Sequence, residues 1–161
     1  MDTPHRTLGT LLRHLIELLD GAVEQTYRDA QLDYRPRYTP VLRCLAAMGP
    51  ASIKDVARHA GITHSAASQT VAQMARVGLV EAQRGTDLRQ QIVSLTPRAA
   101  AMIPELERIW RAVNEAAGDL DAELAFPLSR LVEEAISAIE RQSFRARIGA
   151  AAERQTSRPE G

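Results

Sequence analysis

Apolar side chains recur along this chain at helical spacing, except in one central stretch where the spacing becomes that of strands. Leu8, Leu11, Leu12, Leu15, Ile16, Leu19 and Val23 share one stripe, which predicts a long amphipathic helix from Leu8 to about Asp29. The stripe is wide enough to meet more than one partner helix. Asp33–Pro36 breaks the pattern, because a proline pushes the residue before it out of the helical region. A second helix is expected over Tyr38–Met48, with Val41, Leu42, Leu45 and Met48 inward and Gly49-Pro50 ending it. Pro40 fits its first turn without losing an intrahelical bond.

The centre of the chain, residues 52–96, reads helix, tight turn, helix and hairpin. Ser52 caps a short helix over Ile53–Ala60, and Asp55, three residues on, approximates a capping box. Ile53, Val56, Ala57 and Ala60 form its apolar face. Gly61 supplies an awkward backbone angle at no steric cost, Ile62 plugs the core, and Thr63 is the next N-cap. The second helix runs from His64 to Val77, with Ala67, Val71 and Met74 buried and Gly78 ending it. Leu79, Val80 and Ala82 then read as one strand, and Ile92, Val93 and Leu95 as another. The polar tip Gln83–Gln91 lies between them, with Gly85 in it.

Thr96 and Pro97 form an N-cap and first-turn pair that opens a further long helix. Its apolar face is Met102, Ile103, Leu106, Ile109, Trp110, Val113 and Ala117, and Gly118 is the expected stop. A last helix is expected from about Asp121, carrying Leu124, Leu128, Leu131, Val132, Ala135 and Ile139. Pro127 either begins its regular part or kinks it, and Phe144 and Ile148 extend the stripe. The fold class that results is mainly α: a winged helix-turn-helix with a small β-hairpin wing and long N- and C-terminal dimerisation helices. The expected segments are 1–35 for the N-terminal dimerisation helix and 36–98 for the winged helix-turn-helix domain. Residues 99–148 are the C-terminal dimerisation helices, and 149–161 a flexible tail.

The chemistry of the second central helix points to DNA. On a helical wheel Ser65, Gln69, Ala72, Gln73 and Arg76 lie opposite the buried stripe, with His64 and Ser68 to the sides. No acidic residue occurs between Ile62 and Val80. A helix enters a major groove only if its outer face is slim and is not repelled by phosphate, and glutamine pairs bidentately with adenine. Thr63, which caps this helix, joins the candidate contacts. Arg84 and Arg89 would project from the hairpin tip, where an arginine meets the negative potential of a narrow minor groove. Asp87 is better placed to pair with a nearby arginine and stiffen the tip.

These residues resemble the MarR family of bacterial transcription regulators. The similarity rests on Ile62-Thr63-His64-Ser65, Val71, Met74, Gly78-Leu79-Val80, the Asp87-Leu88-Arg89 form of the wing and Leu95-Thr96. It is strongest from Tyr38 to Thr96. The resemblance implies that Arg89 is the minor-groove arginine and Asp87 its salt-bridge partner. It also puts His64, Ser65, Ser68, Gln69 and Gln73 at groove-facing positions. Many members carry Arg or Lys where this chain has Gln69 and Gln73, so more of the affinity is expected from the wing here. The family further implies a homodimer on a pseudo-palindromic operator, acting as a repressor. Release would come from a small molecule, often an aromatic acid or phenol, bound between the dimer layer and the reader. His14, Tyr38, Arg43 and Trp110 offer polar or aromatic groups near that junction.

Composition changes this picture in three places. The formal net charge of the 161 residues is zero, which by itself argues against nucleic acid. The charge is segregated, however. Pro50–Arg98 holds six cations against three anions, and Ala99–Ile139 three cations against eight anions, so the reader is basic and the helical arm acidic. Two rivals therefore stand beside the regulator: a winged-helix module that binds protein as an antirepressor, and a redox-sensing regulator built on Cys44. The single cysteine excludes an intramolecular disulfide and a cysteine-cluster metal site.

No Gly-rich phosphate loop follows a strand. His5, His14, His59 and His64 are not at metal-ligand spacing, and Ser65 and Ser68 lack a nucleophile elbow. An enzyme, a metal and a cofactor are not expected. No stretch approaches the roughly 20 apolar residues of a membrane span. Arg13, His14 and Glu17 interrupt the N-terminal apolar run as no signal peptide would, so a cytoplasmic protein is expected.

Overall fold

The computed structural model describes residues 6–84 and 91–156. In chain order these form α1 (Leu8–Asp29), a 3-10 turn (Pro36–Tyr38), α2 (Thr39–Met48), β1 (Ala51–Ser52), α3 (Ile53–Ala60) and α4 (His64–Arg76). Then come β2 (Val80–Arg84), β3 (Gln91–Leu95), α5 (Pro97–Glu123), α6 (Leu128–Arg141) and α7 (Phe144–Thr156). The fold is a winged helix-turn-helix. The chain divides into two compact units, Met1–Arg111 and Ala112–Gly161. The expected segments 1–35 and 36–98 both fall within the first unit, and 99–148 straddles the two.

In the first unit the core is laid down by α2, α3, α4 and a three-stranded antiparallel sheet of order β1-β3-β2. Val41, Leu42, Val56, Met74, Leu79 and Val93 are fully buried there. β2 and β3 pair from Val80 opposite Leu95 to Arg84 opposite Gln91. β1 sets Ala51 against Val93 and Ser52 against Ile92. That two-residue strand is too short to leave a period in the sequence, and it has a structural consequence. Ser52 is at once a strand residue and the N-cap of α3, its Oγ accepting from the Asp55 amide at 3.1 Å, so the helix-turn-helix is anchored to the wing.

A second buried group comes from the end of α1, the α1–α2 connection and α5. Tyr27, Tyr34, Tyr38, Leu106, Ile109 and Trp110 are all buried. The Tyr34 ring stands edge-on to Tyr27 at 4.9 Å and to Tyr38 at 5.7 Å. Trp110 donates its indole N–H to the Tyr27 hydroxyl at 3.1 Å, which ties α5 to α1. Pro104 lies inside α5 and cannot donate to Ala100, whose residue is exposed and open to water. Earlier in α1 the expected stripe does not enter this core: Leu8, Leu11, Leu12, Ile16 and Leu19 are exposed.

The second unit departs from the sequence expectation at each helix end. α5 runs through Gly118 to Glu123. Gly118 is not among the glycines of positive φ, and without that angle it ends nothing. α6 starts only at Leu128, with Pro127 at its N-cap. Asp121 belongs to α5 and caps α6 from there, accepting from the Ser129 amide at 3.1 Å and from the Ser129 hydroxyl. Those hydrogen bonds hold its carboxyl below the usual carboxylate range. Phe144 and Ile148 do not extend α6. They sit on α7, behind a break at Gln142, whose backbone is extended.

Ser143 caps α7, accepting from the Ala146 amide at 3.2 Å. Arg147 reaches back to the Ala138 carbonyl at 2.9 Å. Residues 149–156, expected as tail, are helical, because Ala150, Ala151, Ala152, Glu153, Arg154 and Gln155 are strong helix formers. Among the described residues no helix is long and apolar enough to cross a membrane.

Candidate nucleic-acid interface

The turn between α3 and α4 is built as its residues require. Gly61 adopts φ 66°, ψ 29°, a left-handed angle that costs a residue with a Cβ about 1 kcal/mol or more. Ile62 follows with its amide on the Ala57 carbonyl at 3.1 Å. Thr63 is extended, and its Oγ1 accepts from the Ala66 amide at 3.1 Å. α4 is thus started by one side chain and aimed by one glycine.

Ala67, Val71 and Met74 of α4 are buried as the periodicity expects, and Thr70 joins them. His64, Ser65, Gln69, Ala72 and Arg76 are exposed, and Ser68 is half-buried. Ser65, Gln69, Ala72 and Arg76 form one narrow face without a carboxylate. Arg76 folds back along it, donating to the Ala72 carbonyl at 3.3 Å. Gln73 departs from the wheel. It is half-buried, and its Oε1 is shielded from solvent with no hydrogen-bond partner. The buried arc of α4 extends past Thr70, and Gln73, one turn further on, falls on its edge.

The wing rises from β2 and β3. Backbone pairing at its described end brings Arg84 opposite Gln91. Asp87 and Arg89, the proposed salt-bridge residue and minor-groove arginine, lie outside the described residues.

The four ligand-pocket candidates are not brought together as a set. Arg43 stacks over the Trp110 ring, its Cζ 5.1 Å from the centroid. Tyr38 does not touch that pair in any contact among the described residues; its ring meets Tyr34, which meets Tyr27, whose hydroxyl accepts from Trp110. Burial pushes the Tyr34 phenol well above its ordinary pKa, and its hydroxyl pairs with Thr39 Oγ1 at 3.3 Å. His14 stands apart. It lines a shallow surface groove with Arg6, Thr10, Arg13 and Glu17, and Tyr27 lies about 20 Å further along α1 at the rise of a helix. Sequence reasoning missed Tyr27 and Tyr34, whose partners are distant in the chain.

Cys44 is buried beside Met48, its Sγ 3.7 Å from the thioether. Burial, and then the charge of Asp55, raise its pKa, so it is held as the less reactive thiol. Among the described residues no three His, Cys, Asp or Glu side chains gather as metal ligands do.

Residues 32–90 match the model of the MarR family. This segment is a MarR-family domain. It spans most of the α1–α2 connection, α2, the helix-turn-helix and the wing sequence as far as Gln90. Comparison with curated proteins returns no match. Solved structures share the fold over most of the chain. One is the Mycobacterium tuberculosis transcriptional regulator MosR in complex with DNA, at TM-score 0.66 and 18% identity, covering 86% of this chain and 99% of that one. Another is PcaV from Streptomyces coelicolor in complex with its natural ligand, at TM-score 0.62 and 19% identity, covering 89% and 98%. A third is Bordetella bronchiseptica BpsR, whose DNA binding is regulated by 6-hydroxynicotinic acid, at TM-score 0.61 and 19% identity, covering 89% and 99%.

Proposed function

We propose that this MarR-family chain is a sequence-specific DNA-binding transcription regulator. It acts as a homodimer on a pseudo-palindromic operator, as a repressor released by a small ligand. The observation that carries the reading is the exposed face of α4: Ser65, Gln69, Ala72 and Arg76 are small or polar, and no carboxylate stands among them. Such a face enters a major groove without phosphate repulsion, and Gln69 and Ser65 have base edges to read there. Two α4 helices related by a two-fold axis read half-sites one turn of duplex apart, about 10 base pairs. Arg84 and Arg89 of the wing take the adjacent minor groove.

The homodimer rests on surface that one chain leaves uncovered. Leu8, Leu11, Leu12, Ile16 and Leu19 on α1 are exposed, as are Leu131, Val132, Ile136 and Ile139 on α6. Contiguous apolar faces of this kind on soluble proteins mark association surfaces. Release by a ligand rests on Arg43, an exposed guanidinium over the buried Trp110 ring. It offers an aromatic carboxylate a charge partner beside an apolar wall. His14 is left out of that site within a single chain.

A second reading, a module that binds protein as an antirepressor, is favoured by one observation. The only arginine of α4 is folded onto its own helix. Titration of duplex DNA with wild type and Arg89→Ala separates the two. The regulator predicts a loss of at least tenfold in affinity for the variant, roughly one lost charge-assisted contact. A wild type that binds no duplex at low salt sinks the regulator and leaves the module.

A further inference from the structure

α4 has to be held at its far end as well as started at its near one. A helix leaves its last carbonyls without intrahelical partners, and here three consecutive carbonyls beyond α4 are taken by two residues at the start of α5. Thr96 Oγ1 donates to the Gly78 carbonyl at 2.8 Å. The Thr96 amide donates to the Leu79 carbonyl at 3.1 Å. Arg98 Nη1 donates to the Val77 carbonyl at 2.9 Å, placing a cation at the negative end of the helix. The other Nη of Arg98 lies 3.9 Å from Asp33, in the connection between α1 and α2. One guanidinium thus touches the end of α4, the start of α5 and the chain leaving α1. Thr96 has a second duty as the cap of α5, accepting from the Ala99 amide at 3.2 Å. Arg98 caps no helix start, and its side chain is mostly exposed.

We propose that Arg98 is a positioning residue for DNA recognition. It latches the C-terminal end of α4 to α5, and so sets the angle at which the α4 face is presented. The bond to the Val77 carbonyl carries the latch. The Asp33 pair, long and open to solvent, adds little. α5 then runs from Arg98 to Trp110, where it is tied to Tyr27 of α1 and covered by Arg43. The same helix therefore bears the latch and the aromatic group, and a shift of α5 reaches α4 through Arg98 without passing through the hairpin.

The proposal rests on the DNA-binding reading and is tested so that the two fail separately. Wild type, Arg98→Ala and Arg98→Lys are titrated with a bound duplex at several salt concentrations, and melting is followed by circular dichroism. The latch predicts that Arg98→Ala loses roughly tenfold in affinity, about what a charged hydrogen bond is worth. The slope of log affinity against log salt stays unchanged, and Arg98→Lys, which still donates, recovers most of the loss. Unchanged affinity in Arg98→Ala overturns the proposal. So does a slope smaller by about one, which marks a direct phosphate contact. Should Arg98→Ala melt below the assay temperature, Arg98→Met keeps the side-chain stem and is read in the same way. A wild type that binds no duplex fails the functional reading only. Hydrogen exchange at Val77, Gly78 and Leu79 then decides the latch: faster exchange in Arg98→Ala supports it, and unchanged exchange overturns it.

Discussion

The reader and the helical ends of this chain are built to opposite standards. From Ala51 to Thr96 each helix has its cap, the strands are paired, and Val56, Met74, Leu79 and Val93 are sealed from water. In α6 and α7 no residue is buried, and the N-terminal half of α1 exposes its leucines. Both regions are amphipathic, so the apolar pattern does not separate them. Completion does. The reader finds its partner surfaces within one chain and the ends do not. A region that is finished alone can be presented rigidly to a ligand, while a region that is unfinished alone is stabilised by whatever covers it.

The contrast breaks first in the core. Leu79→Ala leaves a cavity under the sheet and is expected to cost about 3 kcal/mol, seen as a fall in the urea midpoint. A cost below about 1 kcal/mol would mean that the reader is not tightly packed. Ile136→Glu probes the other side, placing a charge on the open face of α6. The dimer reading predicts a rise of at least tenfold in the dimer dissociation constant, about 1.4 kcal/mol, by sedimentation at several concentrations. A wild type that sediments as a monomer throughout leaves that face unexplained.

The smallest effect refines the reader itself. Gln73→Leu removes a shielded, unpartnered acceptor, so it should raise stability by roughly 1 kcal/mol. If the side chain swings out to pair with adenine in the complex, the same variant should bind DNA more weakly. A stable variant with unchanged DNA affinity would confine Gln73 to the inner edge of α4.

What was legible in the sequence was local chemistry. Ser52, Thr63 and Thr96 cap the helices they were expected to cap, because a cap depends on a few neighbouring atoms. Gly61 and Gly78 take the positive φ expected of them. The same rule misled at Gly118, which an uninterrupted α5 absorbs. A helix stop is decided by what the following residues pack against and not by the glycine alone. β1 and the Tyr27–Tyr34–Trp110 contacts were not legible, because each joins residues far apart in the chain. In the site, the exposed positions of Ser65, Gln69 and Arg76 followed from the 3.6-residue period. Gln73 did not, since it sits at the margin of the buried arc, where the period cannot choose a side. The period shows the apolar stripe of α1, and only the fold tells that its first half stays uncovered within the chain.

Selection of bound sequences from random duplex DNA tests the central claim most directly. The account predicts an enriched pseudo-palindrome with half-sites about 10 base pairs apart, centre to centre, that is lost when Gln69 and Arg89 are both replaced by alanine. A pool that stays random after repeated rounds with folded wild-type protein would contradict it.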